Sequence, residues 1–373
     1  MNILFITFGE IGLWDGGCRS YAIIRALSDA GCRIDLIASH SNLPEHNNIR
    51  NLIPEGRASV RKHRLRIEVL KAIGRKSYDA VHAVDEAALF VAQAVWFRKS
   101  HLIYDAGRCF SGPFANPPSR LATFFPSYFQ RLEQKIIKRA LVVLVPCETL
   151  FRDLKEVDPG APVSLLEDIP LHALCSGEKI GKEALISQFE RPQSSVVVCS
   201  VLGGGYQAVR DLLKAIRKVL DAYSNVFFFI KGARISDAEE LVANLEIREH
   251  CSFLKPDETG VFLAALELAD VALLMSDSNQ RYVAAETYTL LQAPAPLLAV
   301  HATEWGSVLN EQNSIQVLPD SSSIAEGIIR ILREPLFSLG IADEGQRLIA
   351  DRYSHSSFKH KVRMIYRDIL SEK

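Results

Sequence analysis

The hydrophobic pattern of the chain alternates between two periods for most of its length. Short and nearly continuous apolar runs, such as NILFITF at residues 2–8, are typical of buried strands. Longer stretches with apolar residues three and four positions apart, such as SYAIIRALSDAG at residues 20–31, are typical of amphipathic helices. Buried strands that alternate with helices indicate a parallel sheet covered on both faces.

These runs form two series, separated by a stretch without strand character. The first series contains the apolar runs at 2–8, 33–39, 80–84, 101–105 and 141–146. The second contains the runs at 195–202, 226–232, 251–255, 270–276, 296–300 and 314–318. Between about 167 and 195 the chain is mixed in charge and has no strand-like run, which indicates a linker region. The predicted fold class is α/β, with two Rossmann-like, doubly wound parallel-sheet domains facing a cleft.

Composition agrees with a folded protein of two domains. The length of 373 residues exceeds what one hydrophobic core usually supports, and 48% hydrophobic with 23% charged residues is ordinary for a globular chain. Lys and Arg number 43 against 44 Asp and Glu, so the overall charge gives no reason to expect nucleic acid. One local basic run, at residues 57–76, is either a contact for anionic lipid headgroups or a phosphorylated acceptor, or a solvated helix face.

The cysteine pattern and the apolar segments indicate the cellular compartment in which we expect the protein. The seven cysteines are odd in number, scattered and never spaced C-x-x-C, so we expect neither a disulfide framework nor a metal site. The chain shows no basic leader and no apolar segment of about eighteen residues. We therefore expect a cytoplasmic protein, with peripheral contact to the inner face of the membrane as an option.

Glycines occupy the turn between the first strand and the first helix of each series. Gly16 and Gly17 follow the first strand, and Gly203, Gly204 and Gly205 follow the strand at 195–202. A helix N-terminus offers unpaired N–H groups and a partial positive charge, and glycine lets a phosphate approach that backbone closely. The alternative is that these glycines only permit tight turns.

The second glycine cluster also fits the spacing of a dinucleotide-binding fingerprint. That fingerprint expects an acidic residue at the end of the next strand, to hold a ribose. The strand VFFFIKG ends in Lys231 and Gly232 instead, which argues against a dehydrogenase.

The order of segments resembles the GT-B fold retaining glycosyltransferases, in particular the large family 4 that uses nucleotide sugars. The resemblance runs nearly end to end. It rests on the Gly16-Gly17 corner with ALSDAGCRIDLIAS, and on YDAVHAVDEAALFVAQA, LEQKIIKRALVVLVPCETLFRDL, CSFLKPDETGVFLAALELADVALLMSDS and DRYSHSSFKHKVRMIYRDIL. It implies a first domain at 1–170 on the acceptor side, a linker at 171–195 and a nucleotide-sugar domain at 196–350. A last helix, at 351–373, would cross back to the first domain.

The resemblance also implies roles for individual residues. His82 and Asp85 match the family's His-Ala-His-Asp segment, although its second His is Val84 here. The family's diphosphate-binding Arg and Lys are replaced by Gly204 and Gln207, and Glu286 stands at the second of its paired glutamates.

Other residues are candidates to replace the lost groups. Arg281 lies between a strand end and the acidic helix, and we treat His82, Asp85, Arg281 and Glu286 as the candidate catalytic residues. The glycines at both corners, with Lys231 and Lys255 at neighbouring strand ends, are candidate donor-binding residues. Asp105 and Arg108 follow another strand of the first domain and are candidate acceptor-binding residues, and Arg108 would suit an anionic acceptor.

Two functions stay open at this point. The resemblance implies transfer of a sugar from a nucleotide diphosphate sugar to an unknown acceptor, with retention at the anomeric carbon. In that mechanism the donor phosphate helps to deprotonate the acceptor, and no metal or other cofactor is needed. The changed motif residues motivate the alternative, a non-catalytic subunit that binds a partner or an acceptor.

Overall fold

The computed structural model describes thirteen stretches of the chain, in two compact units. These are residues 1–13, 17–43, 46–52, 62–94, 100–110, 126–175, 185, 194–202, 205–232, 235–255, 257–276, 283–300 and 308–371. The first unit comprises Met1–Asp168 with Ser356–Lys373, and the second comprises Ile169–His355. The change of unit falls between Asp168 and Ile169, at the end of the predicted first domain.

The described part of the first unit contains a sheet of seven parallel strands. In spatial order these are β5 (Ile49–Asn51), β3 (Arg33–Ile37), β1 (Asn2–Ile6), β6 (Ala80–Val84), β7 (His101–Asp105), β8 (Val142–Val145) and β9 (Val163–Leu165). Two short strands, β2 (Glu10–Ile11) and β4 (His40–Ser41), pair beside it. The helices are α1 (Cys18–Asp29), α2 (Lys62–Arg75), α3 (Glu86–Ala94), α4 (Pro126–Ile137) and α5 (Glu148–Val157).

The second unit repeats this plan with six described strands, again all parallel. Their spatial order is β12 (Cys251–Leu254), β11 (Val226–Lys231), β10 (Ser195–Leu202), β13 (Val271–Ser276), β14 (Leu297–Val300) and β15 (Ile315–Val317). Its helices are α6 (Tyr206–Ala222), α7 (Ile235–Asn244), α8 (Thr259–Leu268), α9 (Ala285–Leu291), α10 (Ser321–Arg333) and α11 (Pro335–Arg352). The last helix, α12 (His355–Ser371), belongs almost entirely to the first unit.

Both sheets are doubly wound, as the sequence predicts. Each starts at a central strand, winds outward on one side, and then returns to add strands on the other side of the start. The reversal lies between β1 and β6 in the first sheet and between β10 and β13 in the second. Ligands of such sheets bind outside the carboxyl ends of the strands at this point of reversal.

Helix α6 shows how the apolar spacing forms the core of the second unit. Val209, Leu212, Leu213, Ile216 and Val219 recur at three- and four-residue intervals, and all of them are buried. They pack into one cluster with the inward side chains of β10, β11 and β13. Burying one such side chain contributes about 1.5–3 kcal/mol, so this face is enough to hold the helix on the sheet.

Two edge strands of the first sheet have no counterpart among the predicted runs. Strands β5 and β9 are only three residues long, and their residues are half-buried or exposed. An edge strand of this length gives too short an apolar pattern to distinguish it from a loop. Across the described stretches, no helix combines the length and the apolar character that crossing a bilayer requires.

Candidate functional site

Three pairs of the residues singled out from the sequence lie in contact in the structure. His82 pairs with Asp105, Asp85 with Arg108, and Lys231 with Glu286. Each pair lies at or next to the carboxyl end of a strand, where the doubly wound topology places ligands.

The His82–Asp105 pair lies in the interior of the first unit. His82 is on β6 and Asp105 ends the adjacent strand β7; His82 Nε2 is 3.4 Å from Asp105 Oδ2, and neither side chain is exposed. The His82 ring stacks on Phe5 of β1, with ring centroids 4.2 Å apart. Its Nδ1 shares a hydrogen bond of 2.6 Å with the hydroxyl of Tyr366, on α12.

Arg19 extends this pair into a buried network. It lies in the first turn of α1, and its Nε donates to Asp105 Oδ1 at 2.9 Å. One terminal nitrogen donates to Asp168 Oδ1 at 2.7 Å and to the carbonyl of Leu166 at 2.6 Å. The network therefore joins α1 to the ends of β7 and β9. It also includes Asp168, where the chain leaves the first unit, and α12, where the chain has returned to it.

The Asp105 carboxyl and the Arg19 guanidinium stabilise each other in their ionised forms. Burial alone would raise the pKa of the Asp105 carboxyl, but Arg19 and His82 outweigh burial, and the pKa is lowered. Burial also acts to lower the pKa of Arg19, yet the charges of Asp105 and Asp168 raise it. A guanidinium that is shared by two carboxylates in this way holds chain segments together.

The Asp85–Arg108 pair lies beside the network but remains accessible, with 22% and 33% of the two side chains exposed. Arg108 Nε is 3.5 Å from Asp85 Oδ2, and the Arg108 guanidinium lies over the ring of Phe110. The other carboxylate oxygen of Asp85 accepts a hydrogen bond of 2.8 Å from the N–H of Gly107. Burial raises the pKa of Asp85, and Arg108 offsets only part of that rise.

The backbone of Asp85 adopts an uncommon conformation. Its φ is +44°, in the left-handed region that aspartate tolerates better than most residues. A Cβ on Gly107 would lie 3.1 Å from Asp85 Oδ2, so a side chain here would make the Asp85 carboxylate shift by a few tenths of an ångström. Strained residues with accessible polar groups are common at functional sites, which favours Asp85 and Arg108 as ligand-binding residues.

The Lys231–Glu286 pair lies in the interior of the second unit. Lys231 ends β11 and Glu286 lies in the first turn of α9; Lys231 Nζ is 3.1 Å from Glu286 Oε1, with 5% and 2% of the side chains exposed. The ammonium group also lies 4.8 Å from the centre of the Phe262 ring. Lys231, a candidate donor-binding residue, thus binds Glu286, a candidate catalytic residue.

Gly232 follows Lys231 and fixes the direction in which the strand ends. Its φ is +89°, and a Cβ at this position would lie 2.2 Å from the carbonyl oxygen of Val201 on β10. Only glycine fits, because both the conformation and the contact exclude a side chain.

The glycine corners are described in part. Gly17 is buried at the start of α1, and its Cβ would lie 2.8 Å from the N atom of Gly12 and 3.0 Å from the carbonyl oxygen of Glu10. Close packing of the turn is therefore sufficient reason for this glycine, and its predicted contact with a phosphate stays a prediction. Gly205 begins α6 as its N-cap residue. Gly16, Gly203, Gly204 and Arg281 lie outside the described residues.

The remaining candidates differ in exposure. Lys255 is exposed after β12, and its backbone N–H donates to Glu258 Oε2 at 2.8 Å. His82 and Asp105 have no exposed surface, so their predicted contacts with an acceptor would require the network around them to open. Sequence reasoning did not find Tyr366 or Asp168 as their partners, because no pattern links positions so far apart. Among the described residues, no group of three or more His, Cys, Asp or Glu side chains is arranged to hold a metal ion.

The fold defined by the two units is that of GT-B glycosyltransferases. The sequence matches no protein-family model, and no curated protein matches it significantly. Among solved structures, the chain is similar to sucrose-phosphate synthase from Thermosynechococcus elongatus, with a TM-score of 0.75 and 14% identity over 100% of both chains.

Two further structures share the fold over nearly the whole length. A glycosyltransferase from Rickettsia africae gives a TM-score of 0.71 and 12% identity, over 100% of this chain and 99% of that one. Anabaena HepE, solved in complex with UDP-glucose, gives a TM-score of 0.71 and 13% identity, over 99% of this chain and 100% of that one. At these identities the likeness establishes the fold and not the activity.

Proposed function

We propose that the protein transfers a sugar from a nucleoside diphosphate sugar to an acceptor, with retention at the anomeric carbon. The observation that carries the proposal is the likeness of fold over the whole chain to a glycosyltransferase and to a protein solved with UDP-glucose. The two doubly wound sheets support it, because each has charged residues where such sheets bind ligands. The proposal includes a cytoplasmic reaction without a metal ion.

In this proposal the second unit binds the donor. The start of α6 at Gly205 supplies backbone N–H groups for the diphosphate, with Gly203 and Gly204 as further candidates. Lys231 sets the charge and orientation of Glu286, so that the carboxylate has a fixed direction toward the ribose or the sugar. Arg281 and Lys255 are the candidate cations for the charge that develops on the leaving diphosphate; one such donor is worth about 2.7–4 kcal/mol of barrier.

The first unit supplies the acceptor side. Asp85 and Arg108 are its accessible charged pair, and the raised pKa of Asp85, caused by burial, suits a group that exchanges a proton with an acceptor hydroxyl. The network of Arg19, Asp105 and His82 then acts as a support behind that pair and does not itself touch the acceptor.

Donor binding is tested by calorimetry with UDP, GDP and their glucose and mannose derivatives. We expect one of these to bind and to raise the melting temperature, since a ligand at about 100 times its Kd stabilises by about 2.7 kcal/mol. The variant Arg281→Ala should weaken binding, whereas Arg217→Gln, at an exposed ion pair of α6, should not. If neither these compounds nor the corresponding ADP and dTDP compounds bind, the proposed activity is excluded.

Kinetic measurements distinguish residues that bind the acceptor from residues that bind the donor. We expect Arg108→Ala to raise the KM for the acceptor while the Kd of the nucleotide stays unchanged, because the residue lies in the other unit. Retention is checked from the anomeric proton of the product by NMR.

One observation favours the alternative of a non-catalytic binding subunit. Lys231 and Glu286, both predicted to contact the donor, are bound to each other and buried. The alternative predicts that no transfer occurs with any acceptor and that Arg281→Ala leaves the biological activity intact. A large loss of transfer in that variant excludes it.

A further inference from the structure

Helix α2 exposes apolar side chains to solvent. Ile67 is 47% exposed and Leu70 is 51% exposed. Among the side chains that the structure describes, no other helix or strand carries two large hydrophobic residues with this exposure. An isolated exposed leucine needs no explanation, but two on neighbouring turns of one helix form a patch.

The two residues lie at the centre of the outward face of α2. Leu65, Val69 and Ala72 are buried and hold the helix on the sheet. With 3.6 residues per turn, successive side chains are separated by about 100°, so Ile67 and Leu70 point roughly opposite to that buried face. The apolar patch is therefore the part of the helix furthest from the core.

Cations surround the patch on both sides. Arg64, Lys71 and Arg75 are exposed on one flank and Arg66 on the other, and the only described acid of the helix, Glu68, pairs with Lys71 at 2.9 Å. The run 57–76 contains eight Lys or Arg and one Glu, whereas the whole chain has 43 basic and 44 acidic residues. An apolar ridge between rows of cations is the pattern of a helix that lies in the interface of a bilayer.

The start of α2 lies near the edge of the sheet that carries the accessible pair. The Arg66 guanidinium is 6.0 Å from the ring of Phe8, two residues after the end of β1, and 5.6 Å from the ring of Phe90 on α3. Asp85 and Arg108 follow the neighbouring strands β6 and β7. A surface that binds α2 would thus lie close to the carboxyl edge of the first sheet.

We propose that α2 is a docking surface for an anionic lipid bilayer. Ile67 and Leu70 insert at the level of the headgroups, and Arg64, Arg66, Lys71 and Arg75 bind the lipid phosphates. Charge complementarity selects this partner, because the patch offers both cations for phosphates and apolar groups for acyl chains. The inference goes beyond sugar transfer and does not require it.

Sedimentation with vesicles tests the proposal on the whole protein, without nucleotide. The probes are vesicles of phosphatidylcholine alone and vesicles that also contain phosphatidylglycerol. We expect binding only to the second kind, weakened by salt because the contact is in part electrostatic. The double variant Arg64→Glu/Lys71→Glu should bind at least about tenfold more weakly, since each basic residue near such a surface contributes a several-fold gain.

Matched variants control for net charge and for apolar exposure. Arg248→Glu/Arg363→Glu makes the same change of charge at exposed positions outside α2 and should bind as the parent does. Ile67→Ser/Leu70→Ser should lose about tenfold or more, whereas Leu318→Ser/Leu339→Ser, at other exposed leucines, should not. Circular dichroism checks that each variant is folded.

Four results would overturn the proposal. These are an absence of binding to the anionic vesicles, equal binding to both kinds of vesicle, equal losses in the α2 variants and their controls, or tighter binding to an RNA of equal charge. The nucleotide titration is independent of these measurements, so failure of sugar transfer and failure of membrane docking are distinguishable.

Discussion

The carboxyl edges of the two sheets both carry charged residues, but they use charge in different ways. In the first unit Arg19 binds two carboxylates and a carbonyl, and the resulting network leaves the Asp85–Arg108 pair accessible beside it. In the second unit Lys231 pairs with Glu286, and both side chains lie away from solvent.

The difference shows that a charged residue at the end of a strand is not by itself evidence of a ligand-binding site. At such an edge the same residue types either bind one another and support the fold, or remain accessible. Burial and the number of partners distinguish the two cases, and neither is visible in the sequence. Four sets of variants probe the two units, beginning with the largest expected effect.

Removing the cation of the first network should have the largest effect. Arg19→Met leaves Asp105 and Asp168 buried near each other without their shared partner, and breaking a buried ion pair in this way costs about 3–5 kcal/mol. The free energy of unfolding from guanidinium titration measures it. Arg108→Met, at the accessible pair, should cost less than about 1 kcal/mol. If both variants lost a similar amount of stability, the Arg19 network would not be a structural support that differs from the accessible Asp85–Arg108 pair.

The Lys231–Glu286 pair of the second unit should behave differently when both residues are replaced. Lys231→Met removes the cation that lies 3.1 Å from the buried Glu286 carboxylate, and we expect a loss of about 3 kcal/mol in the free energy of unfolding. Lys231→Met/Glu286→Leu removes both charges and should recover most of that stability, because apolar side chains often replace a buried pair without loss. If the stable double variant still bound the nucleotide as tightly as the parent, the predicted donor roles of both residues would be wrong.

Gly232 and Gly31 form a matched pair for the effect of a close backbone contact. Both have positive φ, +89° and +78°, but only Gly232 has an atom close to the position of an added Cβ. Gly31→Ala should therefore cost about 1–2 kcal/mol from the left-handed backbone alone. Gly232→Ala should cost about 1–3 kcal/mol more, as an overpacked site does. If thermal denaturation showed equal losses of stability in the two variants, the backbone near Val201 would move easily to make room for the added Cβ of residue 232.

Asp105 and Asp85 should give opposite dependences of stability on pH, with the smallest effect of the four sets. The pKa of Asp105 is lowered, so its ionised form contributes stability at pH values above about 4, and this is lost as the pH falls through the folded-state pKa. The pKa of Asp85 is raised by burial, so its protonated form contributes stability below about pH 4, and this is lost as the pH rises through the folded-state pKa. Asp105→Asn should flatten the acid limb of the stability profile, and Asp85→Asn should remove the decline toward neutral pH.

The sequence was sufficient for the fold, whereas the roles of the candidate site residues stay predictions. Apolar runs such as NILFITF and SVVVCSVL predict the central strands β1 and β10, because a buried parallel strand has to be apolar on both faces. His82 lies on β6 and Asp105 ends the adjacent strand β7, so the strand order places them on neighbouring strands, with Val84 directly opposite Asp105. The predicted contact of the two domains across a cleft stays a prediction.

The partners of the charged residues could not be predicted in the same way. Lys231 and Glu286 are 55 positions apart, and their contact depends on how α9 docks against the end of β11. Tyr366 is 284 positions from His82, and nothing in the amphipathic pattern of α12 marks its hydroxyl as a partner of that ring. Gly17 is conspicuous in the sequence, but the reason for it, contact with the backbone of residues 10 and 12, appears only in three dimensions.

The return of α12 to the first unit has a consequence for biosynthesis. The ribosome releases β1, β6 and β7 early, yet the side chain that binds the His82 ring is made only after all of Ile169–His355. The amino-terminal unit is therefore the last to be completed, although its synthesis begins first. A nascent chain arrested before Tyr366 would contain all of the carboxyl-terminal unit, while its amino-terminal unit would still lack the hydroxyl that binds His82.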